Sequence, residues 1–194
     1  MKLVFATHNL HKFEEVRTMM PLGIELLNLN DIGCFEDIPE TASTIEGNAQ
    51  IKMEYVKEHY GFDCFADDTG LEVTILNGAP GVYSARYAGP EKDDRKNMQQ
   101  LLLALKDAAD RSAQFKTVIA LCFRGQTTLI TGICRGEITQ APMGNKGFGY
   151  DPIFCPEGGA TTFAQMSQEE KATIGHRGRA IRQLLAVLSA SIDA

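Results

Sequence analysis

A strand-like apolar stretch, Phe62 to Ala66, runs directly into Asp67-Asp68-Thr69-Gly70. Two consecutive carboxylates after so apolar a strand are costly unless a cation or hydrogen bonds compensate them. In open α/β proteins the carboxyl ends of strands are where ligand-holding groups converge. Neighbouring side chains on an extended chain point to opposite sides, so one of Asp67 and Asp68 is expected to face a site. Periodicity does not say which, and a turn or helix cap is the alternative for Asp-Asp-Thr-Gly.

Strand and helix patterns alternate around this junction. Residues 2–6 read as a buried strand, followed by a helix from about Asn9 to Met20 with Leu10, Phe13, Val16 and Met20 on one side. Ile24 to Leu29 reads as a second strand. Ser43-Thr44-Ile45-Glu46 fits a capping box with Ser43 as the cap, opening a helix to about Tyr60. A short strand, Leu71 to Leu76, and a turn at Asn77–Gly81 follow the aspartates. Asp93 or Asp94 caps a third helix, whose Met98, Leu101, Leu102 and Leu105 have i, i+3, i+4, i+7 spacing. Two longer strands, about Ala113 to Phe123 and Thr127 to Thr139, are broken by Gly125-Gln126 and predict an antiparallel hairpin, hence a mixed sheet. A glycine-rich loop, Gly144 to Asp151, precedes a short strand at Ile153-Phe154, and the last helix carries Ile181, Leu184, Leu185 and Leu188. Without repeat, low-complexity stretch or linker, residues 1–194 are expected to form a single α/β domain.

Charge narrows the ligand. A net charge of −6 argues against polymeric nucleic acid, whose binders carry a basic stripe, but not against a nucleotide, which needs only a few local cations. Five scattered cysteines without a Cys-x-x-Cys pair predict reduced, mostly buried thiols in a cytoplasmic protein. No apolar run approaches the ~20 residues needed to cross a bilayer, so no membrane partner is expected. Met1 to Ala6 is too short for a signal peptide. Phosphate-loop, dinucleotide-binding, zinc-protease and serine-hydrolase signatures are all missing.

Cations recur in separate segments. Thr7-His8-Asn9-Leu10-His11-Lys12 joins the first strand to the first helix, where backbone N–H groups and a lysine can hold an anion; a plain helix cap is the alternative. At ~100° per residue, Lys52 falls on the apolar stripe of its helix with Ile45, Ala49 and Val56. A lysine there must either snorkel or meet an anion. Glu40, just before the capping box, is a candidate second acid. Phe148-Gly149-Tyr150-Asp151-Pro152 offers an aromatic for stacking on a base and a carboxylate for its N–H groups, or merely a turn around a buried ring. Glu170-Lys171 and Gly175-His176-Arg177-Gly178 lie just before the final helix and offer donors to a carbonyl or phosphate.

Taken in order, the motifs form a series. They are Thr-x-Asn-x-x-Lys (7–12), Pro-Glu-Thr (39–41), Asn-Ala-x-x-Lys (48–52) and Ala-Asp-Asp-Thr-Gly-Leu (66–71), then Gly-Ala-Pro-Gly-Val-Tyr-Ser-Ala-Arg-Tyr (78–87). Gly-Phe-Gly-Tyr-Asp-Pro-Ile-Phe (147–154), Glu-Glu-Lys (169–171) and His-Arg-Gly (176–178) complete it. Over nearly its full length the chain resembles the inosine/xanthosine triphosphate pyrophosphatase family, also called HAM1-like. The resemblance implies an elongated mixed sheet flanked by helices, with two lobes, a central cleft and a homodimeric state. It also implies magnesium-dependent cleavage of ITP, XTP or dITP to the monophosphate and pyrophosphate.

Position by position, the resemblance gives the phosphate tail to Thr7, His8, Asn9, Leu10, His11 and Lys12, with Lys52 adding charge. Asp68 becomes general base and magnesium ligand, Glu40 a second metal ligand, and Thr69 a substrate contact. Phe148, Gly149, Tyr150 and Asp151 take the base, and Lys171, His176 and Arg177 complete the purine pocket. Three positions depart from many relatives: His8 stands for Gly, Thr69 for Ser, and Gly175 for a Ser whose hydroxyl could help read the base. The alternatives are a Maf-like pyrophosphatase acting on other modified nucleotides and a nucleotide sensor without turnover.

Overall fold

The first strand, β1, spans Lys2–Phe5, and its Leu3, Val4 and Phe5 are fully buried. In this computed structural model, which describes residues 1–192, helix α1 follows at Leu10–Arg17 with Asn9 as its N-cap. It ends at Arg17, short of the expected Met20, with Thr18 as its C-cap. Strand β2 is trimmed to Glu25–Leu27. Helix α2, Ile45–Tyr60, is capped by Thr44 and not by the predicted Ser43: the Thr44 hydroxyl accepts the Gly47 N–H at 3.1 Å.

Strand β3 corrects the expectation of two separate strands. It runs unbroken from Cys64 to Val73, through the aspartates, and Thr74–Leu76 is a 3-10 turn. Neither a turn nor a cap therefore forms at Asp-Asp-Thr-Gly. The short β4, Pro80–Gly81, pairs antiparallel with Leu71 and Glu72 of β3. Helix α3, Asp94–Ala104, takes Asp93 as its cap. Strands β5, Ser112–Phe123, and β6, Gln126–Ile138, form the expected hairpin. Arg124 and Gly125 both have positive φ, 49° and 80°, the signature of the two-residue turn whose twist matches flanking strands.

Strand β7, Phe154–Pro156, pairs antiparallel with β6. Glu170 and Lys171 lie inside helix α4, Gln168–Ile174, and His176 opens helix α5, His176–Ile192. These residues are helical, not part of the connection the sequence suggests.

The strands hydrogen-bond in the order β2-β1-β3-β5-β6-β7, with β4 on β3. Parallel pairing of β1 with β2 and β3 beside the antiparallel pairs makes the sheet mixed, and helices flank it. Two compact units divide the chain: Met1–Asp68, Thr117–Gly132 and Arg177 onward in the first, Thr69–Lys116 and Ile133–His176 in the second.

In the first unit, Phe13 and Val16 of α1 and Ile181, Leu184 and Leu188 of α5 pack with Leu3, Phe5, Phe65, Ile119 and Leu121. Phe5 and Phe65 stack with centroids 4.6 Å apart. Truncating either ring to alanine would cost about 3–5 kcal/mol. The second unit buries Leu71, Val73, Met98, Leu101, Leu105, Phe115, Ile138, Phe154 and Phe163 around a separate core. Cys34, Cys64, Cys122, Cys134 and Cys155 are free thiols and buried. Among the described residues, no helix is long and apolar enough to cross a membrane.

Candidate active site

Pairing between β1 and β3 reaches only Phe5 and Phe65, so Asp67 and Asp68 lie just beyond the end of β1. There the chain turns into α1. The Thr7 hydroxyl accepts the Asn9 N–H, and the Asn9 side chain accepts the Lys12 N–H, each at 3.1 Å. This cap starts the helix and fixes Lys12 in its first turn. The Lys12 ammonium donates to Asp67 Oδ1 at 2.8 Å. The other oxygen, Oδ2, accepts Arg177 Nε at 3.1 Å, and Arg177 donates onward to Glu15 Oε2 at 2.5 Å. Glu15 stands three residues after Lys12, on the same side of α1.

Asp68 engages a different set, as alternation along a strand requires. Its Oδ2 accepts the Asn48 amide at 3.4 Å, and its Oδ1 lies 4.0 Å from the Lys52 ammonium. Lys52 donates to Glu40 Oε1 at 2.6 Å. Lys52 therefore does not snorkel; its side chain is 12% exposed and lies between two acids. Asn48 also accepts the Ala42 N–H at 2.9 Å, which holds the segment carrying Glu40 against α2. Alternation thus separates the two aspartates, Asp67 toward Lys12 and Arg177 and Asp68 toward Asn48 and Lys52.

Their protonation differs accordingly. Burial opposes ionisation of Asp67, but Lys12 and Arg177 outweigh it and hold the carboxyl well below the usual range. Burial dominates at Asp68 and raises its pKa, only partly offset by Lys52 and Lys12 and reinforced by Glu40 and Asp67. Lys52 is also penalised by burial, yet Asp68 and Glu40 raise its pKa. The result is a permanent anion at Asp67 and a more basic carboxylate at Asp68.

Of the other residues in this segment, His8 donates through Nε2 to the Glu36 carbonyl at 3.1 Å, while Leu10 and His11 are exposed on α1. Sequence reasoning named neither Glu15 nor Asn48 for a role. Asn48 stands in the Asn-Ala-x-x-Lys motif, and its burial at 1% exposure is the structural signal.

The second unit holds another cluster. Phe148, Gly149 and Tyr150 form the loop before a 3-10 turn at Asp151–Ile153. Asp151 Oδ2 accepts the Phe148 N–H at 2.9 Å and the Lys171 ammonium at 2.6 Å. That ammonium lies 4.9 Å from the Phe148 ring centroid and 5.7 Å from that of Phe163. His176 is buried and stacks on Phe115 at 4.5 Å. Tyr150 is buried too, with its hydroxyl donating to the Ser84 carbonyl at 2.8 Å, so it anchors the loop. Gly147 is required: its φ is +72°, and a Cβ there would come within 2.0 Å of Asp151 Oδ2. Thr69 is half-buried in β3. Arg177, predicted beside His176 in a purine pocket, is held instead by Asp67 and Glu15 in the first unit.

Lysines facing carboxylates at the end of a parallel strand pair define an α/β protein equipped for a polyanion and a hard cation. Comparison with known proteins makes this specific. A model of the Ham1 family matches residues 3–187, and the chain belongs to that family. The dITP/XTP pyrophosphatase of Christiangramia forsetii is 60% identical over 97% of this chain and 100% of its own length. That of Flavobacterium johnsoniae is 58% identical over 98% of this chain and 100% of its own. The solved Ham1 protein of Staphylococcus aureus superposes with a TM-score of 0.89 at 39% identity, covering 98% of this chain and 100% of that one.

Proposed function

We propose that the protein is a nucleoside triphosphate pyrophosphatase. It hydrolyses dITP, ITP and XTP to the monophosphate and pyrophosphate, clearing deaminated purines from the nucleotide pool. The observation that carries this reading is the Lys52 ammonium, 2.6 Å from Glu40 and 4.0 Å from Asp68. Relatives named dITP/XTP pyrophosphatase, 58% and 60% identical, support the substrate class.

In this mechanism a water beside Asp68 gives its proton to that carboxylate and attacks the α-phosphorus. The new bond joins water oxygen to the α-phosphorus, the α–β bridging bond breaks, and pyrophosphate leaves with the bond's electron pair. Burial favours the proton on Asp68, which makes it a better base than an exposed aspartate. Lys12 and Lys52 offset the triphosphate charge, together with the Thr7 to Asn9 turn and the start of α1.

The acids fit magnesium. Among the described residues, no three or more His, Cys, Asp or Glu form a metal cluster. Magnesium is commonly held by one or two carboxylates, with substrate phosphates and water supplying the rest. Glu40 and Asp68, which share one ammonium, are the residues that would hold it. Bound there, it would supply charge neutralisation on the phosphate oxygens.

Phe148 stacks on the purine, and Asp151 meets its N–H edge. Lys171 and His176 supply donors for the 6-oxo group, while Arg177 stays with Asp67 and Glu15. Adenine offers a 6-amino donor at that position and leaves those donors unpaired, the situation in which discrimination is strongest. Thr69 contributes a further substrate contact.

The whole chain, 1–194, is read as one catalytic domain, working as a homodimer in the cytoplasm, where buried free thiols stay reduced. Pyrophosphate release from dITP, ITP, XTP, GTP, ATP, dUTP and dTTP, with and without magnesium, tests the proposal. The hypoxanthine and xanthine nucleotides should lead, and only with magnesium. Equal rates on ATP and ITP would overturn it.

A further inference from the structure

Asp94 is the first residue of α3, yet it is not what caps that helix. Asp93 does so, with Oδ1 accepting the Arg95 N–H at 2.9 Å and the Lys96 N–H at 3.0 Å. The Asp94 carboxylate turns elsewhere: its Oδ2 accepts the Gly149 N–H at 2.7 Å, across 55 residues of sequence. Gly149 has a φ of +61°, so the chain bends there. The bond fixes that bend from outside the loop.

The neighbouring tethers belong to the same helix and loop. Asn97, three residues along α3, donates to the Ala85 carbonyl at 2.9 Å and accepts the Ala88 N–H at 2.7 Å. The adjoining Ser84 carbonyl receives the Tyr150 hydroxyl at 2.8 Å. One face of α3 thus pins the 84–88 segment directly. It pins the 148–151 loop through Asp94 and, by way of Ser84, through Tyr150. The bonds between Asp151 and Phe148, side chain to N–H at 2.9 Å and N–H to carbonyl at 3.2 Å, are internal to the loop. Asp151 is itself assigned to the base, whereas Asp94 has no assigned role and acts on the loop from outside it.

We infer that Asp94 is a positioning residue for purine recognition: by accepting the Gly149 N–H it holds Phe148 in stacking position over Lys171. This rests on reading the 148–151 loop as the base-binding element. A carboxylate–amide bond of this kind is charge-assisted, and its loss leaves the bend at Gly149 without its tether to α3. The effect should fall on the base alone, because the groups assigned to the phosphates belong to other segments.

The test compares Asp94→Ala, Asp94→Asn and Phe148→Ala in the full chain with magnesium. Readouts are KM and kcat on dITP, competition by inorganic tripolyphosphate, and hydrogen exchange at the Gly149 amide. Asp94→Ala should raise KM for dITP on the order of tenfold with kcat nearly unchanged, the scale of one lost charge-assisted bond. It should also speed exchange at Gly149 and leave tripolyphosphate competition as it was. Asparagine keeps an acceptor oxygen without the charge and should restore KM and protection in part. A wild-type KM in Asp94→Ala beside a weakened Phe148→Ala would overturn the role of Asp94 alone. An equal loss of tripolyphosphate binding, or failure of asparagine to rescue, would show a general structural effect and overturn it too. Wild-type behaviour of Phe148→Ala would instead remove the base-loop reading, and the Asp94 assignment with it.

Discussion

Asp67→Asn is the substitution whose consequence the structure defines most closely. The carboxylate is 2% exposed and paired with Lys12 at 2.8 Å and Arg177 at 3.1 Å, whose side chains are only 15% and 5% exposed. Asparagine preserves the shape and one acceptor but removes the charge, leaving two cations facing each other with Glu15 and the more distant Asp68 to offset them. Breaking a buried ion pair by removing one partner costs about 3–5 kcal/mol. For a chain of this size each kcal/mol lowers the melting temperature by about 2–4 °C, so the drop should be about 6–20 °C.

The pH dependence has a definite sign. Asp67 is held below its unfolded pKa, so its contribution is present above that pKa and is lost as pH falls toward the folded value. The stability gap between wild type and variant should therefore be constant from neutral pH to about 5. Below about pH 4 it should narrow by about 1.4 kcal/mol per unit. Urea denaturation at several pH values, with thermal melts at neutral pH, measures both. A melting-temperature drop below about 3 °C, or a gap that stays constant or widens in acid, would refute the account of Asp67 as a buried, permanently ionised anchor.

Other substitutions separate the remaining roles. Asp68→Asn should leave nucleotide binding largely intact while lowering turnover at least ~10²-fold, the scale of a lost general base, as read by pyrophosphate release. Lys52→Met removes the cation shared by Glu40 and Asp68; turnover at neutral pH should fall, and a carbon-13 titration of the metal-free protein should find the Asp68 pKa raised further. Gly147→Ala should displace Asp151 from Lys171, costing about 1–3 kcal/mol in stability and raising KM for dITP. Near-wild-type KM and melting temperature in that variant would contradict the close approach at Gly147.

Much of this architecture is legible along the chain. The apolar runs of β1 and the first half of β3, the i, i+3, i+4 stripe of α3 and the glycine turn of the β5–β6 hairpin all depend on local periods and local turn chemistry. Lys52 on an apolar stripe left snorkelling and an anionic partner both open, and the fold decided for the partner, Glu40. Boundaries were less legible. Thr44 displaces Ser43 as a cap, and β3 continues past Asp68, because sheet hydrogen bonds outweigh the local preference of Asp-Asp-Thr-Gly for a turn.

Sequence alone therefore determined which residue types are present for phosphate chemistry and in what order, since motif spacing and periodicity are properties of a line. Only the tertiary structure decided which charge meets which. Glu15, Arg177 and Asp67 are far apart in sequence, yet they form one buried network, while Asp68 belongs with Asn48, Lys52 and Glu40. The physical reason is that ion pairing depends on distance and desolvation, and both are set when β1 ends at Phe5 and α1 begins beside the carboxylates it leaves exposed to them.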